Sequence, residues 1–131
     1  MVIDTSAMVE VLLNKRSGKR LAHRFGDPDE TLHAPHLIDL EVAQTIRRYE
    51  ATGEMSPDRA QQALSVFAQM PLERHAHWPF VDRIWELRRN LTAYDAAYVA
   101  LAEGLGAPLL TCDRSLASAP GHLAVVELIE D

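Results

Sequence analysis

Short runs of apolar residues alternate along this chain with longer stretches in which apolar residues recur every three or four positions. A short, continuous apolar run between turn residues is typical of a strand buried on both faces, and the longer spacing is typical of a helix. These criteria predict five strands, the third of them weak, at residues 2–4, 32–35, 71–77, 107–112 and 123–129.

Helices are predicted in the segments between the strands. The clearest begins after Ser56, a favoured N-cap residue, and has Pro57 at its first position. The full set covers residues 7–16, 19–25, 38–51, 57–70, 80–90 and 94–105. Because helices separate the strands, we expect the strands to be parallel, with helices on both faces of the sheet. The pattern therefore predicts an α/β fold with a short parallel sheet of four to five strands.

Length and composition fit one soluble domain over residues 1–131. Hydrophobic residues make up 47% of the chain and charged residues 24%, which is ordinary for a globular protein. No apolar run approaches the roughly 20 residues of a membrane helix, and no signal-peptide pattern precedes the first strand. Cys112 is the only cysteine, so no internal disulfide is expected and the cytoplasm is the expected compartment.

Five acidic residues lie at or near the carboxyl ends of the predicted strands. Asp4 ends the first strand, and Asp113 follows the fourth. Asp39 and Glu41 begin the helix after the second strand, and Asp95 opens the helix before the fourth. Ligands of open parallel sheets bind at this edge. We therefore expect these carboxylates to converge there.

Each of these acids, taken alone, has a simpler interpretation. Asp4 and Asp113 are suited to cap the helices that follow them, and Asp95 fits a capping box with Thr92. Glu41 is a first-turn acid of the kind that the helix dipole favours. As a set, however, converging carboxylates repel one another and need compensating cations. Mg²⁺ and Mn²⁺ prefer carboxylate oxygens, and such ions are suited to phosphodiester hydrolysis.

Neither the net charge nor the histidines argue against an acidic site for Mg²⁺ or Mn²⁺. The charge of −6 argues against a protein that holds nucleic acid by bulk positive charge, but not against an acidic pocket that recruits cations. His75 and His77 alternate on the weak third strand, but no further ligand accompanies them, so zinc chemistry is the weaker interpretation. They are interpreted as ordinary polar positions, as are His33 and His36.

Four stretches of the sequence carry more specific information: VIDTSAMVEVL, APHLIDLEVAQTIRR, LTAYDAAYVALAEGLGAPLLTCDRSLA and the closing VVEL. In this order and at this spacing they resemble the PIN-domain ribonucleases, and more narrowly the VapC-type toxins of VapBC toxin–antitoxin pairs. The third stretch is the specific one, because it joins Y-D-A-x-Y-x-A-L-A to T-x-D across a strand. The resemblance covers essentially the whole chain and implies a three-layer PIN-like α/β fold.

The resemblance also implies a site of four acids, which in this sequence are Asp4, Glu41, Asp95 and Asp113. It selects Glu41 over Asp39, a choice that periodicity leaves open. These acids would bind one or two Mg²⁺ or Mn²⁺ ions, directly or through water. The positions that match polar residues used by the family to orient ligands or water are Thr5, Ser6 and Thr111. Ser115 stands where some relatives carry a further acid, so the resemblance does not extend to a fifth carboxylate.

The family implies a metal-dependent endoribonuclease that acts as the toxin of a type II toxin–antitoxin system and hydrolyses RNA with a metal-activated water. It also implies a homodimer and an antitoxin protein that covers the acidic pocket, and no membrane partner. Two alternatives remain open: a PIN-domain RNA-processing nuclease without an antitoxin, and a non-catalytic binding module on the same fold. A haloacid-dehalogenase-type phosphatase is rejected, because that chemistry needs D-x-D and Ser6 occupies the place of the second acid.

An acidic pocket needs nearby cations to hold RNA. The densest basic stretch lies within residues 11–26, which contain no acid, and comprises Lys15, Arg16, Lys19, Arg20 and Arg24. Any one of these residues alone is more simply a solvated helix position. Together they form our hypothesis for part of the RNA path, because a net acidic protein must contact phosphates through local clusters.

Overall fold

Five short strands form one sheet in the computed structural model, which describes residues 1–130. In chain order the strands are β1 (Val2–Ile3), β2 (Leu32–Pro35), β3 (Leu72–His75), β4 (Leu109–Thr111) and β5 (Val126–Leu128). Their order across the sheet is β3-β2-β1-β4-β5, and every neighbouring pair is parallel. The predicted α/β class and its parallel sheet are therefore confirmed.

The helices lie around this sheet. They are α1 (Thr5–Leu12), α2 (Arg16–Phe25), α3 (Ile38–Ala51), α4 (Pro57–Gln69), α5 (Val81–Glu86), α6 (Ala93–Leu105) and α7 (Arg114–Ser118). Helices α1, α3 and α4 pack against one another, and α5 packs against α6. Within residues 1–130, no helix combines the length and the apolar character that crossing a bilayer would take.

The first strand, β1, lies at the centre of the sheet. Val2 pairs with His33 of β2 on one side and with Leu109 of β4 on the other. Both residues of β1 are fully buried, at 0% exposed, as expected for a central strand covered on both faces. The Asp4 N–H then donates to the Leu110 carbonyl (3.1 Å). The chain therefore leaves the sheet at Asp4 from a rigidly held position.

Helix starts follow the capping residues found in the sequence. The Ala7 N–H donates to Asp4 Oδ1 (2.9 Å), and α1 accordingly begins at Thr5 rather than at residue 7. Caps of the same kind begin α4, α6 and α7, with the side chains of Ser56, Thr92 and Asp113. The simpler interpretation of these residues as helix caps is therefore correct, and it is compatible with a further role.

The structure departs from the predicted elements mainly after β3. The helix predicted at residues 80–90 is a 3-10 turn followed by the short α5. Residues 87–90 form turns with i→i−3 bonds, such as that from the Arg88 N–H to the Trp85 carbonyl (3.2 Å). Helix α7 was not predicted at all, because its five residues are too few to show a helical period.

Candidate active site

The four acids singled out above gather at one edge of the sheet. Asp4 follows β1 directly, and Asp113 lies just beyond β4, the parallel neighbour of β1. Glu41 and Asp95 lie in the first turns of α3 and α6. Burial, followed by the charges of Asp113 and Glu41, raises the pKa of Asp95. Asp95 in turn contributes to the raised pKa of Asp4, so the charges of this set act on one another.

Asp4 is the most deeply buried acid of the four, with 5% of its surface exposed. Ser6 Oγ donates to its Oδ1 (2.7 Å), the Ala7 N–H donates to the same oxygen (2.9 Å), and the Thr111 hydroxyl donates to Oδ2. Burial raises the pKa of Asp4, although these three donors favour the ionised carboxylate. The carboxylate is thus fixed in orientation by three hydrogen bonds, and no lysine or arginine among residues 1–130 forms an ion pair with it.

Glu41 is held by two hydroxyl groups. Thr5 Oγ1 donates to Glu41 Oε1 (3.0 Å), and the Tyr98 hydroxyl donates to the same oxygen (2.6 Å). Burial, followed by the bond to Glu41, raises the pKa of Tyr98, so the phenol stays protonated and acts as a donor. Within residues 1–130, Glu41 Oε2 accepts no hydrogen bond, which leaves it available to a ligand.

Asp113 caps α7 with one oxygen only. Its Oδ1 accepts from the Ser115 N–H (2.9 Å) and from the Ser115 hydroxyl (2.7 Å). In the described part of the chain its Oδ2 has no such donor. Ser115, at the position of a possible fifth acid, therefore orients Asp113 instead of adding another carboxylate.

The four acids lack protein cations, and a neighbouring acid shows the contrast. None of the four forms an ion pair with a lysine or arginine among residues 1–130. Asp39 does: Arg74 Nε lies 2.9 Å from each of its oxygens, and Nη2 lies 2.8 Å from Oδ1. Asp39 is therefore paired with Arg74 of β3, which distinguishes it from Glu41 on the same helix.

A divalent cation would supply the positive charge that the described residues do not place beside the four acids. Burial, together with the charge of a neighbouring acid, raises the pKa values of Asp4 and Asp95, and no lysine or arginine among residues 1–130 forms an ion pair with either. Glu41 and Asp113 each keep one oxygen without a hydrogen-bond donor among the described residues. Hard divalent ions such as Mg²⁺ and Mn²⁺ prefer oxygen ligands, and Mg²⁺ retains several waters when it binds. The site is therefore suited to a hard cation whose coordination is completed by water.

The predicted orienting residues contact the acids, and one further residue was missed. Thr5 bonds to Glu41, whereas Ser6 and Thr111 bond to Asp4. Tyr98 was not predicted as a site residue, although it belongs to the Y-D-A-x-Y motif. Its spacing of three residues from Asp95 puts both side chains on one face of α6, and this spacing was the available signal.

Two grooves of about 340 Å³ each meet beside Thr5. The first groove is lined by the side chains of Leu40 and Tyr94, which are 76% and 66% exposed. These two side chains form an apolar wall of the groove. The second is more polar and passes Ser6. Arg48 lines both grooves and shares the first with Glu41, so a cation lies in the same groove as one of the four acids.

The five basic residues proposed for the RNA path lie at the start of α2 and along it. Three of them have partners: Lys15 pairs with Glu10 (3.4 Å), Arg20 donates to the Glu130 carbonyl (2.8 Å), and Arg24 pairs with both Glu30 (3.5 Å) and Glu127 (2.5 Å). Arg16 and Lys19 are exposed and form no ion pair within residues 1–130.

The chain is similar to proteins of one family over nearly its whole length. A family model described as the PIN domain matches residues 1–121. Ribonuclease VapC12 of Mycobacterium tuberculosis is 41% identical over 129 residues, which cover 98% of each chain. Ribonuclease VapC1 of the same organism is 38% identical over 129 residues, covering 98% of this chain and 96% of the other. Among solved structures, VapBC2 from Rickettsia felis, bound to a DNA fragment from its promoter, shares the fold, with a TM-score of 0.73 at 14% identity and 98% coverage of each chain.

Proposed function

This chain belongs to the PIN-domain family, and on that premise we propose that it is a metal-dependent endoribonuclease, the toxin of a type II toxin–antitoxin pair. The observation that carries the proposal is the set of four interacting acids, none of which forms an ion pair with a lysine or arginine among residues 1–130. Relatives named as VapC ribonucleases support the activity. The structural likeness to VapBC2 is consistent with the toxin role.

We assign Asp4, Asp95 and Asp113 to metal binding, directly or through water. Glu41 shares a second ion or orients the attacking water. The all-oxygen donor set favours Mg²⁺ or Mn²⁺, as one or two ions. When bound, the metal polarises the phosphodiester and makes a water molecule more acidic.

The chain's own hydroxyl groups keep the acids in place for this reaction. Ser6 and Thr111 fix both oxygens of Asp4. The hydroxyls of Thr5 and Tyr98 both donate to Oε1 of Glu41. Among the described residues Oε2 has no donor, so it is the oxygen available to a metal ion or a water molecule. Because its pKa is raised, Tyr98 serves as a hydrogen-bond donor and not as a base.

The proposed substrate is RNA, held by phosphate contacts from the basic residues at the start of α2 and along it. Arg16 and Lys19 are the most available of that set, since the others have partners of their own. Arg48, which lines both grooves and shares one with Glu41, is a further candidate for a phosphate contact.

We further propose one domain over residues 1–131, a homodimer and a cytoplasmic location. An antitoxin protein is the proposed regulatory partner. A basic segment of such a partner would be attracted to the acidic set. The groove walled by Leu40 and Tyr94 offers apolar surface beside it for the same segment.

The test is cleavage of total cellular RNA by the full chain, purified free of any antitoxin, with Mg²⁺, with Mn²⁺ and with EDTA. Wild type is expected to cleave only with metal. Asp4→Asn and Glu41→Gln should each lower the rate on the order of 100-fold or more, because each removes charge at the reacting centre. Asp39→Asn is the matched control, since that acid lies two residues from Glu41 but pairs with Arg74. Failure of wild type to cleave RNA with either metal, or equal cleavage by the site variants, would contradict the proposal.

A further inference from the structure

A second group of potential metal ligands lies on the two strands at one edge of the sheet. In the parallel pairing of β2 with β3, His33 lies opposite Glu73, and Pro35 lies opposite His75. Glu73 and His75 are two residues apart on a strand and therefore share a face. The pairing thus brings two imidazoles and a carboxylate together, although the two histidines are 42 positions apart in the chain.

The distances within this group suit a single ion. His33 Nδ1 lies 2.8 Å from His75 Nε2 and 3.6 Å from Glu73 Oε2. The three potential ligand atoms all lie within 4.8 Å of one another, and within residues 1–130 no other group of three such side chains does so. Zinc bonds of about 2.0–2.1 Å in a tetrahedron separate neighbouring ligand atoms by about 3.3 Å. The two measured separations bracket this value.

A further contact orients His33, which is partly buried. Thr31 Oγ1 lies 2.7 Å from Nε2 of His33, the ring nitrogen that points away from the group. Metal-binding histidines almost always have such a partner on the second nitrogen, because it fixes the tautomer and the ring orientation. The His33 side chain is 15% exposed and the Glu73 side chain 64% exposed, so the group has both an anchored ligand and access from solvent.

We propose that His33, Glu73 and His75 form a transition-metal site, separate from the acidic set, that binds Zn²⁺ with a water in the fourth position. Imidazole nitrogens suit zinc, whereas oxygen-only ligands suit magnesium and manganese. The two sites therefore select different ions. This inference does not rest on the proposed nuclease function.

The site would join the edge strand β3 to its only neighbour, β2. An ion that binds His33 together with Glu73 and His75 requires the native strand pairing, so it binds the folded chain in preference to the unfolded one. Zinc should therefore raise the melting temperature in a concentration-dependent way. Without metal, the close ring nitrogens form a hydrogen bond, and this bond is the competing explanation of their proximity.

The experiment titrates Zn²⁺ alone into the metal-stripped full chain carrying Asp4→Asn and Asp95→Asn, which removes the competing acidic site. Calorimetry is expected to report one Zn²⁺ per chain, and Co²⁺ substitution should give the visible absorption of a four-coordinate site. In the same background, Glu73→Gln and His75→Gln should each weaken zinc binding by about 100-fold or more, and Thr31→Val by about 10- to 100-fold. His77→Gln, an exposed histidine just beyond β3, is the matched control and should not change the affinity.

Two results would overturn this inference. One is the absence of saturable zinc binding in that background. The other is zinc binding that survives both Glu73→Gln and His75→Gln. Because Glu73 is largely exposed, its substitution leaves the fold intact, and circular dichroism of each variant verifies this. An inactive nuclease with an intact zinc site would contradict the proposed function alone.

Discussion

Helix α6 has an acidic side chain near each end, and the pKa values of these two side chains are shifted in opposite directions. Near its start, Asp95 has a pKa raised first by burial and then by the charges of Asp113 and Glu41. Near its end, Glu103 accepts from Arg83 Nε (2.9 Å) and Nη2 (2.9 Å), and its pKa is lowered chiefly by these bonds. The Leu123 N–H adds a further bond to Glu103 (2.7 Å).

This difference separates an acid that stabilises the fold from the acids that we propose as metal ligands. A carboxylate with a bidentate arginine needs nothing further, because the pair is neutral and geometrically satisfied. Carboxylates that repel one another without a cation destabilise the protein until one arrives. Perturbed pKa values of this second kind mark functional sites. The comparison can be tested by replacing the acid near each end of α6 with the corresponding amide.

The largest expected effect is on catalysis. Asp95→Asn should lower metal-dependent RNA cleavage on the order of 100-fold or more, because it removes a charge that the metal needs. Glu103→Gln, on the same helix, should leave the rate per folded molecule unchanged. Cleavage rates at saturating Mg²⁺ or Mn²⁺ measure both. Equal losses in the two variants would break the distinction between the two ends.

The next effect is on stability. Glu103→Gln should lower the free energy of unfolding by about 1–3 kcal/mol at pH 7, because it removes the charge that Arg83 Nε and Nη2 contact and leaves Arg83 only its pair with the exposed Glu86. Since the folded-state pKa of Glu103 is lowered, its contribution is present above the unfolded-state pKa and is lost as the pH falls through the folded-state value. Urea unfolding at pH 7 and at acidic pH should therefore show the gap between wild type and variant closing at low pH. A gap that does not depend on pH would contradict the role of this charge.

The smallest effect has the opposite sign. In EDTA at pH 7, Asp95→Asn should be slightly more stable than wild type, because it removes an ionised carboxylate whose folded-state pKa is raised. The stability conferred by the protonated carboxyl is complete below the unfolded-state pKa and lost as pH rises, so the gain should vanish at acidic pH. Excess Mg²⁺ should reverse the order by stabilising wild type. A metal-free variant that is less stable than wild type at pH 7 would contradict this prediction.

The features that were predictable from the sequence are local ones. The helix over Ile38–Ala51 shows its own period and has the predicted ends, and the N-caps Ser56 and Thr92 are where their residue type places them. The positions of Asp4 and Asp113 were also predictable, because a residue within one or two positions of the end of a parallel strand must lie near that strand's carboxyl end.

The features that the sequence did not predict are side-chain contacts between residues on different strands and helices. The interpretation of His33 and His75 as ordinary polar positions did not include their contact, which arises because the register of β2 against β3 brings the rings within hydrogen-bond distance. Periodicity left Asp39 and Glu41 equivalent. The family resemblance selected Glu41, and the ion pair of Asp39 with Arg74 on β3 supplies a physical difference between the two acids. The pattern of residues along one sequence does not give the register of one strand against another. These contacts therefore become visible only in the structure.

The central position of β1 has a consequence for how the protein is made. Thr111 and Asp4, which share a hydrogen bond, are 107 positions apart, and contacts between such distant segments form late because they close long loops. On the ribosome, β1 is synthesised well before β4, so a nascent chain has Asp4 but not yet Thr111 or Asp113. Until β4 emerges, β1 also exposes an unpaired apolar edge that is prone to aggregation. The four acids can therefore come together only after the segment that contains β4 and Asp113 has been synthesised and β4 has paired with β1.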